Sequence, residues 1–124
     1  AYETLAELEI THMAHNLTSE LSGGQSKLVD IGRAMMGEPD FLLLDEPVAG
    51  VAGPLAEKIF NNLRTIVTEK QISVLVIEHN MDFILRRGVD RIIVMDQGKV
   101  LMQGTPDEVK DSKEVIEAYL GGAA

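Results

Sequence analysis

The sequence predicts an α/β fold: a mostly parallel sheet, ending in an antiparallel hairpin, with helices on its flanks. Three observations carry that expectation. Apolar stripes at helical spacing alternate with short apolar runs at 41–44 and 73–77, both runs stop abruptly in polar or acidic residues, and a polar turn at 96–99 separates two further short strands. In parallel α/β sheets, ligands collect at the carboxyl ends of the strands, so the polar residues that follow each apolar run are the first candidates for function.

Size and charge narrow the classes. A chain of 124 residues, 45% of them hydrophobic, buries one modest core, which means one domain or a piece of one. A formal net charge of −9 is the wrong sign for a surface that neutralises a phosphate backbone, and direct nucleic-acid binding is disfavoured. No cysteine is present, so there is no disulfide framework and no thiolate metal site. No apolar run approaches the ~20 residues of a spanning helix. The amino terminus lacks a basic segment followed by an apolar one, and the expectation is a soluble, cytoplasmic chain.

The elements follow in order. Leu5, Leu8, Ile10 and Met13, interleaved with Glu3, Glu7 and Glu9, predict a short amphipathic helix over 3–13. A polar loop, Leu21-Ser22-Gly23-Gly24-Gln25, then feeds a second helix with Leu28, Ile31 and Met35 on its apolar stripe, ended by Gly37 and Pro39. The run 41–44 lacks alternation and reads as a strand buried on both faces, finishing in Asp45, Glu46 and Pro47. After a loop rich in Gly and Ala, Pro54 opens a helix whose expected apolar face is Leu55, Ile59, Leu63, Ile66 and Val67. Residues 73–77 form the next strand, tipped by Glu78, His79 and Asn80. A helix over 81–87, strands over 91–95 and 100–103, a capping box at Thr105 to Glu108 and a last helix over 111–120, closed by Gly121 and Gly122, complete the reading.

Two places carry chemistry. An Asp directly after an apolar strand, here Asp45, suits Mg²⁺, a hard cation that wants oxygen ligands and keeps much of its water, and the adjacent Glu46 could polarise an attacking water. A neutral His79 on the neighbouring strand tip could donate to a phosphate or to that water. Ser22, Gly23 and Gly24 supply a hydroxyl, unhindered amides and the positive end of a helix dipole, which favour an anion. Glycines before a helix also occur merely as a turn, and for Gln25 a capping role stands beside a nucleotide contact. His12 and His15 have no partner pattern and read as surface or packing residues. The six methionines read as gap-filling core or interface residues.

Taken jointly, Leu21-Ser22-Gly23-Gly24-Gln25, then Phe41-Leu42-Leu43-Leu44-Asp45-Glu46-Pro47, then Glu78-His79 resemble, in order and spacing, the nucleotide-binding subunits of ABC transporters. The loop 47–52 and the tail 104–121 resemble more narrowly the subunits of branched-chain amino-acid importers. The resemblance implies the carboxy-terminal half of a P-loop NTPase (RecA-like) ABC ATPase domain, because no Gly-rich turn ending in Lys and Ser or Thr is present. It implies three regions: the end of the helical subdomain at 1–20, the signature helix and the carboxy-terminal part of the ATPase core at 21–104, and carboxy-terminal helices at 105–124.

The resemblance also implies ATP and Mg²⁺ as cofactors. Ser22, Gly23, Gly24 and Gln25 would face an ATP bound chiefly by a second ATP-binding subunit, with Asp45 at the metal and Glu46 and His79 in catalysis on the chain's own ATP. Membrane-spanning permease subunits would be further partners, placing the chain at the inner face of the cell membrane. By itself the chain is expected neither to turn ATP over nor to stay monomeric, since apolar strands without neighbours expose their edges. Two rivals remain: a non-transport ABC ATPase, which would carry coiled-coil insertions or basic arms, and a non-catalytic module, which would have lost Glu46 or His79.

Overall fold

The structure, a computed structural model that describes residues 1–120, divides into one unit of Ala1–Ile77 and a second that begins at Glu78. In the first unit, α1 (Tyr2–Glu7) is shorter than the helix expected over 3–13. Glu9 adopts a left-handed φ of 57°, which stops the helix, and a 3₁₀ turn at Thr11–Met13 carries the chain onward. The apolar spacing still marks the inner side, since Leu8, Ile10 and Met13 are buried. Ion pairs from Glu7 to Lys70 (2.8 Å) and Glu9 to Lys58 (2.7 Å) fasten this segment, and the Asn62 amide donates to the Leu8 carbonyl at 3.3 Å.

Ser22 caps α2 (Gly23–Met35), whose stripe of Leu28, Ile31 and Met35 is buried as expected. Glu38, at φ 48°, reverses the chain into β1 (Phe41–Asp45). From there α3 (Gly53–Lys70) crosses over to β2 (Ser73–Ile77), and the two strands pair in parallel with Phe41 opposite Ser73 and Asp45 opposite Ile77. The buried face of α3 is Ala56, Ile59, Phe60, Leu63 and Ile66, so Leu55 and Val67 lie at the edges of the expected stripe and are half-buried. Leu42 packs with Leu28, Ile31, Met35, Ile59, Leu63 and Ile66 in one core cluster. Each such side chain taken from water stabilises by roughly 1.5–3 kcal/mol.

The expectation that 41–44 is buried on both faces is corrected. Burial alternates along both strands, with Leu42 buried and Leu44, Val74 and Val76 half-buried, whereas Phe41, Leu43, Leu75 and Ile77 are exposed, Leu43 by 67%. The helices of this unit pack on one side of the sheet, and successive strand side chains point to opposite sides, so every second residue is left bare.

In the second unit, Asn80 caps α4 (Met81–Leu85), two residues shorter than the helix expected over 81–87. β3 (Ile92–Asp96) and β4 (Lys99–Gly104) form an antiparallel hairpin, each displaced or extended by a residue or so from the expected spans. Its turn places Gln97 and Gly98 at φ 47° and 77°, the double left-handed geometry that matches strand twist. Thr105 caps α5 (Pro106–Lys110) in the expected box: its hydroxyl accepts from the Glu108 amide, and the Glu108 carboxylate accepts from the Thr105 amide at 2.8 Å.

The last helix begins at α6 (Lys113–Val115), two residues later than expected, because Asp111 closes α5 and Ser112 supplies a new cap. It continues as a π turn, Ile116–Leu120; the expected close at Gly121 and Gly122 lies outside the described residues. Ile92, Val94, Val109 and Val115 form this unit's core. Met13 and Met35 are buried as core residues, whereas Met36 and Met95 are exposed, which leaves them only the interface side of the reading of the six methionines as core or interface residues.

Candidate functional site

The start of α2 is a reciprocal capping box. The Ser22 hydroxyl accepts from the Gln25 amide at 3.3 Å, and the Gln25 side-chain oxygen accepts from the Ser22 amide at 2.8 Å. Gln25 therefore has the capping role. Ser22 and Gly23 are exposed, and the first amides of the helix, at Gly23 and Gly24, lie beyond the reach of intrahelical acceptors. The Ser22 oxygen keeps its own proton to donate while accepting from Gln25.

The two glycines differ. A Cβ on Gly23 would meet open space, whereas one on Gly24 would collide with the Leu55 side chain and crowd Val51 at 3.3 Å. Gly24 is buried because this helix start is pressed against the loop and first turn that follow β1. Gly23 is the glycine whose bareness faces outward.

At the carboxyl end of β1, Asp45 is exposed and Glu46 half-buried. Glu46 has a left-handed φ of 45°, although neither a Glu nor a position before proline favours that region. The conformation is held through its peptide groups. Its amide donates to the Ile77 carbonyl at 2.9 Å, adding one rung to the parallel ladder, and its carbonyl accepts from the Ala49 amide at 3.1 Å. Lys27 Nζ reaches the same carbonyl at 3.5 Å from α2. The turn swings Glu46 off the line of the strand, so it and Asp45 leave the strand tip on different courses.

Sequence reasoning missed Lys27. The available signal is position: Lys27 follows Gly24 by three residues and precedes Leu28 and Ile31, a cation beside the buried stripe of its helix.

In the second unit, Glu78 is half-buried and His79 exposed. His79, Asn80, Met81 and Asp82 line a shallow cleft together with Tyr119, whose hydroxyl donates to the Met95 carbonyl. The Asn80 side chain accepts from the Phe83 amide at 3.0 Å, fixing the turn that follows His79. His12 and His15 are exposed, and His15 shares a hydrogen bond with the Tyr2 hydroxyl at 3.1 Å, in line with the surface reading.

A family model described as ABC transporter matches residues 1–49, and one described as branched-chain amino acid ATP-binding cassette transporter matches residues 99–124. A probable branched-chain amino acid transport ATP-binding protein, LivG, of Methanocaldococcus jannaschii is 40% identical across 98% of this chain. The chain belongs to the ABC transporter ATP-binding family. It spans about half the length of the curated relatives it matches, 48% in the case of LivG.

The lipopolysaccharide export system ATP-binding protein LptB of Haemophilus influenzae is 36% identical over 98% of this chain and 49% of its own length. A crystal structure of an ABC transporter's ATP-binding cassette in its ADP conformation superposes with a TM-score of 0.86, at 38% identity, over 97% of this chain and 48% of that one. The fold is that of the carboxy-terminal part of an ABC ATPase domain, parallel sheet, hairpin and flanking helices included.

Proposed function

We propose that this chain furnishes half of the machinery of an ATP-hydrolysing subunit that drives import of branched-chain or other hydrophobic amino acids. One observation carries the reading. A Ser-capped helix whose exposed Gly23 leaves its start open stands in the same unit as an acidic strand tip whose Glu46 is held in an unfavourable backbone conformation, and such strain concentrates where a side chain must be aimed.

The residues present fit the nucleotide. The open space at Gly23 lets a phosphate approach the helix start, and Asp45 offers exposed carboxylate oxygens of the kind Mg²⁺ takes, alone and with room for retained water. Bound ATP supplies the phosphoanhydride that is cleaved. Ser22 would donate its hydroxyl proton, and Gly23 and Gly24 their amides, to the terminal phosphate of a nucleotide held mainly by a second subunit. Glu46 would hold the attacking water and accept its proton, and His79 would donate a hydrogen bond that senses the terminal phosphate. Closure of two subunits over two nucleotides would then do work on membrane-spanning permease subunits, with this subunit peripheral at the inner membrane face. No helix among the described residues is long and apolar enough to cross a membrane.

For the cargo, the match of residues 99–124 to the branched-chain model and the likeness to LivG favour amino-acid import over lipopolysaccharide export, the task LptB's name gives it. The test is ATP turnover by the P-loop-bearing parent protein with its permease in vesicles. Leucine-stimulated turnover that vanishes in Glu46→Gln is expected; full turnover by Glu46→Gln would sink the reading.

A further inference from the structure

The Glu46 turn is braced from three sides. Its amide is held by β2 through Ile77, its carbonyl by the turn itself through Ala49, and the same carbonyl by α2 through Lys27. A carbonyl oxygen has two lone pairs, so both donors are accommodated at once. A non-glycine residue at positive φ persists only where its surroundings over-determine it, and Lys27 is a brace that comes from outside the strand pair and its turn. Lys27 is half-buried, and its ammonium reaches the Glu46 carbonyl from that position. It lies five residues beyond Ser22 on one helix, about 7.5 Å along the axis.

We infer that Lys27 is a positioning residue for Glu46: by hydrogen-bonding the Glu46 carbonyl from the helix that Ser22 caps, it fixes the aim of the Glu46 carboxylate and couples that aim to the helix start that would face a second subunit's nucleotide. The inference rests on the hydrolytic reading of Glu46. A shift of α2, such as engagement of Ser22 and Gly23 by a phosphate, moves Lys27 with it and so tightens or relaxes the turn. The helix thereby links two half-sites that would serve different ATP molecules.

The experiment has two arms, using Lys27→Met and Lys27→Arg. In the 124-residue chain, amide hydrogen exchange reads the turn: Lys27→Met is expected to speed exchange at Ala49 about tenfold while the β1 amides and the midpoint of thermal unfolding hold, and Lys27→Arg, which keeps a donor, restores protection. In the P-loop-bearing parent, Lys27→Met is expected to lower kcat about tenfold with KM for ATP within twofold, and Lys27→Arg to recover most of it. Unchanged protection at Ala49, or a loss of turnover that Lys27→Arg does not rescue, overturns the positioning role. Glu46→Gln is the reference in the second arm. Full turnover there overturns the hydrolytic reading itself, while the exchange arm still decides whether Lys27 braces the turn.

Discussion

Gly23 and Gly24 are adjacent, yet the structure gives them different surroundings. Gly24→Ala forces a methyl group into Leu55 and Val51, an overpacking that costs about 1–3 kcal/mol and should appear as a lowered midpoint in urea. Gly23→Ala meets nothing, so the urea midpoint should hold, and under the proposed function a weaker response to ATP in the parent protein would then report hindered phosphate approach. Glu46 offers a second contrast. Its left-handed backbone costs a non-glycine residue about 1–2 kcal/mol, partly offset in a glycine variant by the freer unfolded chain, so Glu46→Gly is expected to raise unfolding stability on the order of 0.5 kcal/mol. The same variant should be inactive in the parent. Lower stability in Glu46→Gly would show that side-chain contacts, rather than the backbone, set the energy of this turn.

Among the elements, the start of α5 was the most legible in sequence, because a cap is a local device and Thr105 with Glu108 acts within three residues of itself, as Ser22 with Gln25 does, whereas the caps at Asn80 and Ser112 went unread. The Glu108 carboxyl is held below the usual carboxylate range by hydrogen bonds from the Thr105 amide and hydroxyl. A lowered folded pKa means that its stabilisation is present above the ordinary value near 4.5 and is lost as pH falls through the folded one. The start of α5 should therefore fray in acid below about pH 4.5, seen as loss of protection at the Thr105 amide, and Glu108→Gln should flatten that dependence. Less legible was the end of α1. The period of Leu5, Leu8 and Met13 suits a continuous helix, and nothing in a Glu at position 9 announces a left-handed residue. The strand tips were readable as acids after an apolar run, whereas the orientation of Glu46 was not, since Pro47 argues locally for extended backbone.

At the scale of the molecule, what covers a sheet is a matter of the surrounding chain and not of the strand's own letters. Phe41-Leu42-Leu43-Leu44 reads the same whether one face or two are packed, and only the placement of α2 and α3 decides that Leu42 is inside and Leu43 outside. The bare face of Phe41, Leu43, Leu75 and Ile77 is apolar and contiguous, with Leu43 and Leu75 directly paired across the strands. The chain is accordingly expected to self-associate at micromolar concentration, measured by sedimentation velocity, and Leu43→Thr with Leu75→Thr should shift it toward monomer while keeping strand propensity. A strictly monomeric unsubstituted chain would count against this.

The two capping boxes, finally, provide a blank for one another. Thr105 and Glu108 reproduce the geometry of Ser22 and Gln25, but the first two helical positions are Pro106 and Asp107 where the other start has Gly23 and Gly24. Proline withholds an amide and aspartate adds a negative charge, so the second start is unsuited to the anion that the first is proposed to hold. Exchanging the two dipeptides would show how much of any phosphate affinity resides in these two positions, with the box around them held constant.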